Sequence, residues 1–210
     1  MIKWLFFDIG STLIDESDCL HWRIEQLHRQ SNAPNREVLL EYMQEVINSG
    51  GNAYQQTAKH FDLQPAPWPI HLEKPYPEAE SILNVLRDHY SLGIIANQLP
   101  GLAQRLQDYH LDSYFDLLVS SAEVGIAKPD IRIFEYALSH AGCKPEEAMM
   151  IGDRLDNDII PAATIGMQTM WVQQGLYRRA DLAHFGVRPQ YICNTLTEIP
   201  EILLRGVIDP

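Results

Sequence analysis

Phe7-Asp8-Ile9-Gly10-Ser11-Thr12 closes a short apolar run, Trp4-Leu5-Phe6-Phe7, near the start of the chain. Residues 2–8 read as a buried strand that ends in a carboxylate. Because Gly-Ser-Thr follows at once, Asp8 is expected to be a working side chain held beside backbone donors. The N–H groups of residues 9–12 are expected to form a nest for an anion, with Gly10 allowing close approach and Thr12 bracing the loop.

Working outward, the pattern turns helical from Ser17 to about Gly51. Leu20, Ile24 and Leu27 make one apolar stripe, and Val38, Leu39, Tyr42, Met43, Val46 and Ile47 make a second. Residues 52–61 suggest a third, short helix, and the five prolines between Gln64 and Pro77 read as a linker. Beyond it, strand and helix patterns alternate: helix 77–90, strand 92–96, helix 102–109, strand 116–120, helix 130–141, strand 148–151, helix 156–165 and strand 168–172. Residues 190–193 add a candidate strand before a final helix. Repeated strand–helix units predict an α/β fold, a Rossmann-like three-layer core with a parallel sheet. Residues 1–15 and 75–210 are assigned to this core and residues 16–74 to a small α-helical cap inserted after the first strand. In such sheets ligands bind beyond the carboxyl ends of the strands. Asp8, Asn97, Ser120 and Asp153 each fall at or just past a predicted strand end.

Composition narrows the function classes. The 210 residues carry a formal net charge of −12 with no basic run, which argues against binding nucleic acid or an anionic membrane. An anionic substrate would then need local help from a metal or a lysine. Three scattered cysteines without CxxC spacing suggest reduced thiols, and no apolar stretch is long enough for a membrane span, so a cytoplasmic protein is expected. The eight histidines show no zinc-ligand spacing, and no GxGxxG or Walker-type loop occurs.

Two further segments bear on Asp8: Lys128-Pro129, placed by Asp130 at a helix start, and the acidic string Gly152-Asp153-Arg154-Leu155-Asp156-Asn157-Asp158. With Asp8 they suggest a Mg²⁺-dependent phosphoryl-transfer site. Taken in order, Asp8-Ile9-Gly10-Ser11-Thr12, Ala96-Asn97, Lys128-Pro129 and Gly152-Asp153 through Asp158 resemble the four motifs of the haloacid dehalogenase superfamily, which consists largely of phosphatases. The resemblance covers residues 2 to about 175.

It implies that Asp8 is the nucleophile, forming an aspartyl phosphate, with Lys128 neutralising charge beside it. Gly10, Ser11, Thr12 and Asn97 would bind phosphate. Mg²⁺ would lie between Asp8, the Gly10 carbonyl, Asp153 and Asp158. The expected substrate is a small phosphorylated metabolite.

The chain departs from the pattern twice. Where the family's phosphatases carry a second Asp that protonates the leaving group, Gly10 stands, and Ala96 replaces a hydroxyl residue. Asn97 is the candidate replacement donor. Asp15, seven residues after Asp8, is a candidate substitute acid, set against its ordinary role at the cap entrance. A phosphate-binding protein with impaired catalysis is the alternative reading. A dehalogenase ranks below both, because the metal-type acidic string favours phosphoryl transfer. His21, Trp22, Arg23 and His28 in the cap read as ordinary helix residues.

Overall fold

The computed structural model describes residues 1–186 and 188–205. Its centre is a six-stranded parallel sheet formed by β1 (Trp4–Phe7), β4 (Ser91–Ala96), β5 (Leu117–Ser120), β6 (Ala148–Gly152), β7 (Gln168–Val172) and β8 (Tyr191–Cys193), in the order β5-β4-β1-β6-β7-β8. Alternation along each strand decides which face a side chain serves. Leu5 and Phe7 point to one side with Ile94 and Ile151, where Ile82, Leu83 and Leu86 of α4 (Ala79–Arg87) cover them. Phe6, Ile95 and Met150 point to the other, against Ile133, Phe134 and Ala137 of α7 (Ile131–Ala141). Each of these buried Leu, Ile, Phe and Met side chains contributes about 1.5–3 kcal/mol relative to an exposed one. Helices α5 (Leu102–Asp108) and α10 (Glu198–Leu203) join the first layer, and α8 (Ile160–Thr164) the second. Two one-turn helices, α6 (Ser121–Val124) and α9 (Leu182–Phe185), lie in connections.

The strand order positions the site. After β1 the chain runs to β4 and β5 on one flank, then crosses back to β6 on the other. This reversal opens a crevice at the carboxyl ends of β1, β4 and β6, the place where open α/β sheets bind ligands.

Between β1 and β4 the chain leaves the sheet through β2 (Ile14–Asp15) and returns through β3 (Lys74–Pro75), paired antiparallel with Ile14 opposite Pro75 and Asp15 opposite Lys74. The intervening residues form α1 (Ser17–His28), α2 (Arg36–Ser49) and α3 (Ala53–His60). Asn35 and Asn52 cap α2 and α3, their side-chain oxygens accepting from Val38 N at 2.9 Å and Gln55 N at 3.0 Å. The apolar faces, Ile24, Leu27, Leu39, Met43, Val46 and Ile47, form a cluster that also takes in Leu155, Ile159 and Trp171 from the sheet side. The proline-rich stretch is more than a linker: it holds a 3₁₀ turn at Ile70–Leu72 and then β3.

One predicted helix changes character. Residues 156–165 do not run as a continuous α-helix; a π-helical turn over Leu155–Ile159 precedes α8. The wider turn accompanies an inward Asp158, whose carboxylate accepts from Arg154 N at 3.0 Å and meets Lys128 beneath.

Candidate active site

Asp8 follows β1 directly, and its N–H donates to Ile151 O of β6 at 2.9 Å, which fixes the residue at the sheet's central edge. Its carboxylate accepts from Lys128 Nζ at 2.7 Å. The same ammonium donates to Asp158 at 2.6 Å and to Ile95 O at 2.8 Å, so all three of its protons have acceptors. Lys128 is buried, which works to lower its pKa, but Asp158 and Asp8 outweigh burial and hold the ammonium above its usual range. Asn97, just past β4, holds the Lys128 backbone: its Nδ2 donates to Lys128 O at 2.8 Å and its Oδ1 accepts from Lys128 N at 2.7 Å.

Asp153, just past β6, completes an acidic cluster. One carboxylate oxygen from each of Asp8, Asp153 and Asp158 lies within 4.8 Å of the others. Asp153 and Asp158 are buried. Burial first, then the charges of Asp158 and Asp8, push the Asp153 pKa well above the usual carboxylate range. Asp158 is also raised by burial, with Lys128 opposing the shift. Gly152 makes room for this arrangement, because a Cβ there would overlap the Asp158 carboxylate.

Three carboxylates face one ammonium, and among the described residues no donor reaches the Asp153 carboxylate. An all-oxygen set with excess negative charge fits a hard divalent cation.

The loop after Asp8 differs from the expected nest. Thr12, Leu13 and Ile14 all donate their N–H to Ile9 O, at 3.2, 2.9 and 2.9 Å, and Ser11 N donates to Ile14 O at 2.8 Å. The N–H groups of Ser11 and Thr12 are therefore engaged within the turn, and the four-donor nest does not form; Ile9 and Gly10 remain. Ser11 has a φ of 55° and turns its hydroxyl towards Glu16 Oε2 at 3.2 Å. Thr12 is fully buried with its hydroxyl unpartnered, outside the cavity wall. Ser120 is likewise buried and absent from the wall, so three of the four strand-end residues converge: Asp8, Asn97 and Asp153.

Asp15 does not join the cluster. Its Oδ1 accepts from Ser17 N at 2.9 Å at the start of α1, and its other oxygen lies 3.8 Å from Lys74 Nζ. The acid beside Gly10 is its neighbour, Glu16, which sequence reasoning missed. Desolvation, reinforced by Asp8 and Glu73, pushes the Glu16 pKa up to about 8.

These groups open onto a cavity of about 340 Å³, walled by Asp8, Gly10, Ser11, Glu16, Asn97, Lys128, Asp153 and Asp158 on the sheet side. Leu20, Arg23, Tyr54 and Trp68 form the helical side. Arg23 is no ordinary helix residue: its guanidinium stacks 3.6 Å above the Tyr54 ring and donates to Ala66 O at 3.1 and 3.2 Å.

The chain is similar to known hydrolases. A family model described as HAD-hydrolase-like matches residues 125–199. A glyceraldehyde 3-phosphate phosphatase from Methanothermobacter thermautotrophicus is 32% identical, the match covering 84% of this chain and 88% of that protein. The pyrimidine 5'-nucleotidase YjjG of Escherichia coli is 37% identical over 134 residues, 62% of this chain and 57% of that protein. The crystal structure of a HAD phosphatase from Thermococcus onnurineus superposes with a TM-score of 0.65 at 27% identity, covering 97% of this chain and 98% of its own. A sheet with this strand order, a buried Lys–Asp centre at its switch point and relatives matched over most of their length lead to one assignment: the chain belongs to the haloacid dehalogenase (HAD)-like hydrolases.

Proposed function

We propose that the protein is a Mg²⁺-dependent phosphomonoester hydrolase acting on a small phosphorylated metabolite. The observation that carries this reading is the Asp8 carboxylate, held at 2.7 Å by a buried lysine and set against two buried aspartates at the mouth of the sheet. Asp8 attacks phosphorus and forms an aspartyl phosphate, which water then hydrolyses. Lys128 pairs with the Asp8 carboxylate and offsets charge that develops on the phosphoryl group. Asn97 fixes the lysine's backbone, while Gly10 and Ser11 line the phosphate's approach. Asp8, the Gly10 carbonyl, Asp153 and Asp158 would hold Mg²⁺, which supplies positive charge that screens the phosphate from these carboxylates and orients it.

We assign residues 16–74 to a cap and residues 1–15 and 75–210 to the core, because the β2–β3 pair brackets the three helices. The cap side of the cavity then meets the part of the substrate beyond its phosphate, with Arg23 available to a second polar or anionic group. A cavity of about 340 Å³ suits a small metabolite. All three cysteines are unpaired, which supports a reducing, cytoplasmic setting.

The test is release of inorganic phosphate from an aryl phosphate, with and without Mg²⁺, and with Asp8→Asn as control. Turnover that disappears in both controls supports the reading. A folded wild type that binds Mg²⁺ and phosphate but releases none would instead be a phosphate-binding module.

A further inference from the structure

We propose that the Glu16 carboxyl is the proton-transfer group of this site, working from the space that a side chain at position 10 would otherwise fill. The proposal rests on the phosphatase reading above. Cleaving a phosphomonoester through Asp8 requires a proton for the departing oxygen and afterwards a base for the attacking water.

Most acids on the cavity wall are committed elsewhere. Asp8 is paired with Lys128, and Asp153 and Asp158 form the buried acidic cluster. Both oxygens of Glu73 are engaged, one by Trp68 Nε1 at 2.5 Å and the other by the Tyr109 hydroxyl at 2.8 Å. The hydroxyls of Tyr54 and Tyr177 each bond backbone groups on two sides. Glu16 is different. Its Oε2 accepts from Ser11 Oγ, and among the described residues no donor reaches its Oε1.

Glu16 is also placed for this role. Glu16 stands at the N-cap of α1, yet its side chain makes no capping hydrogen bond there. Asp15 serves the first turn, and the Glu16 carboxylate folds back over Gly10 instead. A Cβ on Gly10 would lie 2.5 Å from Glu16 Oε1 and 2.8 Å from its Cδ. Gly10 does not have a positive φ, so its backbone would accept other residues. What glycine supplies here is room for the carboxylate, two residues beyond the nucleophile and on the same cavity wall.

The steps balance. As Asp8 forms its bond to phosphorus and the ester P–O bond breaks, the Glu16 carboxyl gives its proton to the departing oxygen, which leaves as an alcohol. Water then attacks phosphorus, its proton passes to the Glu16 carboxylate, and the bond to Asp8 breaks. Inorganic phosphate leaves and both side chains return to their starting states.

The test compares kcat/KM for para-nitrophenyl phosphate, whose leaving group needs little protonation, with that for glycerol phosphate, an alkyl ester that needs much. Both are measured on the full chain with Mg²⁺. Glu16→Gln is expected to lower the alkyl value by about 10²–10⁴-fold and the aryl value by less than about tenfold. It should also produce a burst of nitrophenol close to one per enzyme, as aspartyl-phosphate hydrolysis slows. The exchange Gly10→Asp with Glu16→Ala, which fills the same space from the other end, should recover alkyl turnover. Gly10→Asp alone, which puts two carboxylates into one volume, should not exceed the wild type. Equal losses on the two esters without a burst, or no loss, would overturn the assignment while leaving the phosphatase reading intact. A wild type without Asp8-dependent phosphate release would overturn both.

Discussion

The Asn97 side chain clamps the Lys128 backbone from both sides, Nδ2 donating to its carbonyl at 2.8 Å and Oδ1 accepting from its N–H at 2.7 Å. The residue that follows β4 thereby fixes the loop that carries the buried ammonium. Asn97→Ala removes both bonds. At about 1 kcal/mol each, the variant should be about 2 kcal/mol less stable in urea denaturation. Its kcat should fall by more than its KM rises, because the displaced group is Lys128; a change confined to KM would mean that Asn97 serves substrate directly.

Lys128→Met should leave Asp8 and Asp158 facing each other without their shared cation. Removing one partner of a buried charge pair costs about 3–5 kcal/mol. Adding Asp158→Asn removes one of the stranded charges, so the double variant should be more stable than the single one. Phosphatase activity should be lost in both. Chemical denaturation without metal reads the first two outcomes.

Divalent metal should stabilise the fold by relieving the repulsion among Asp8, Asp153 and Asp158. At a hundredfold excess over Kd, Mg²⁺ contributes about 2.7 kcal/mol, or about 5–11 °C in Tm for a chain of this size. Asp153→Asn should abolish that shift. In the absence of metal the same variant should melt above the wild type, because it removes a buried charge with like charges around it. Thermal melts with and without Mg²⁺ or chelator check both signs.

The helical segment meets the sheet side at Gly51. Its carbonyl accepts from the Tyr177 hydroxyl at 2.9 Å and from Arg154 Nη2 at 3.1 Å, while its N–H donates to Asp156 at 2.8 Å. Tyr177→Phe deletes the first contact and the bond from Ala53 N. We expect a loss of about 1–2 kcal/mol and a several-fold rise in KM with a smaller change in kcat. Steady-state kinetics with saturating Mg²⁺ would show this.

The parts of the molecule legible in the sequence were those encoded by local pattern. Apolar runs ending in Asp8, Ala96 and Gly152 marked three central strands, and the parallel sheet brought their following residues together. Lys128 was legible because the loop and helix start around it gave it a position. Glu16 was not. Its role depends on the turn in which Ile9 O gathers three N–H groups and reverses the chain, so that a residue six positions on lies over Gly10. No periodicity records that reversal, and along the sequence Asp15 is the nearer acid. The π-helical turn at Leu155–Ile159 is hidden for a similar reason: the apolar spacing is helical, and the wider turn that sets Asp158 against Lys128 leaves no mark in it. Arg23 was obscured because its partners, Tyr54 and Ala66, lie far along the chain.

In the proposed mechanism Asp8 carries the phosphoryl group. The most direct test is to mix the protein with Mg²⁺ and an aryl phosphate, quench in acid within the first turnover, and map the peptides by mass spectrometry. The expected result is one added phosphoryl group on the peptide containing Asp8, absent in Asp8→Asn and decaying as phosphate appears. Phosphate release with no such adduct, or an adduct on another residue, would contradict it.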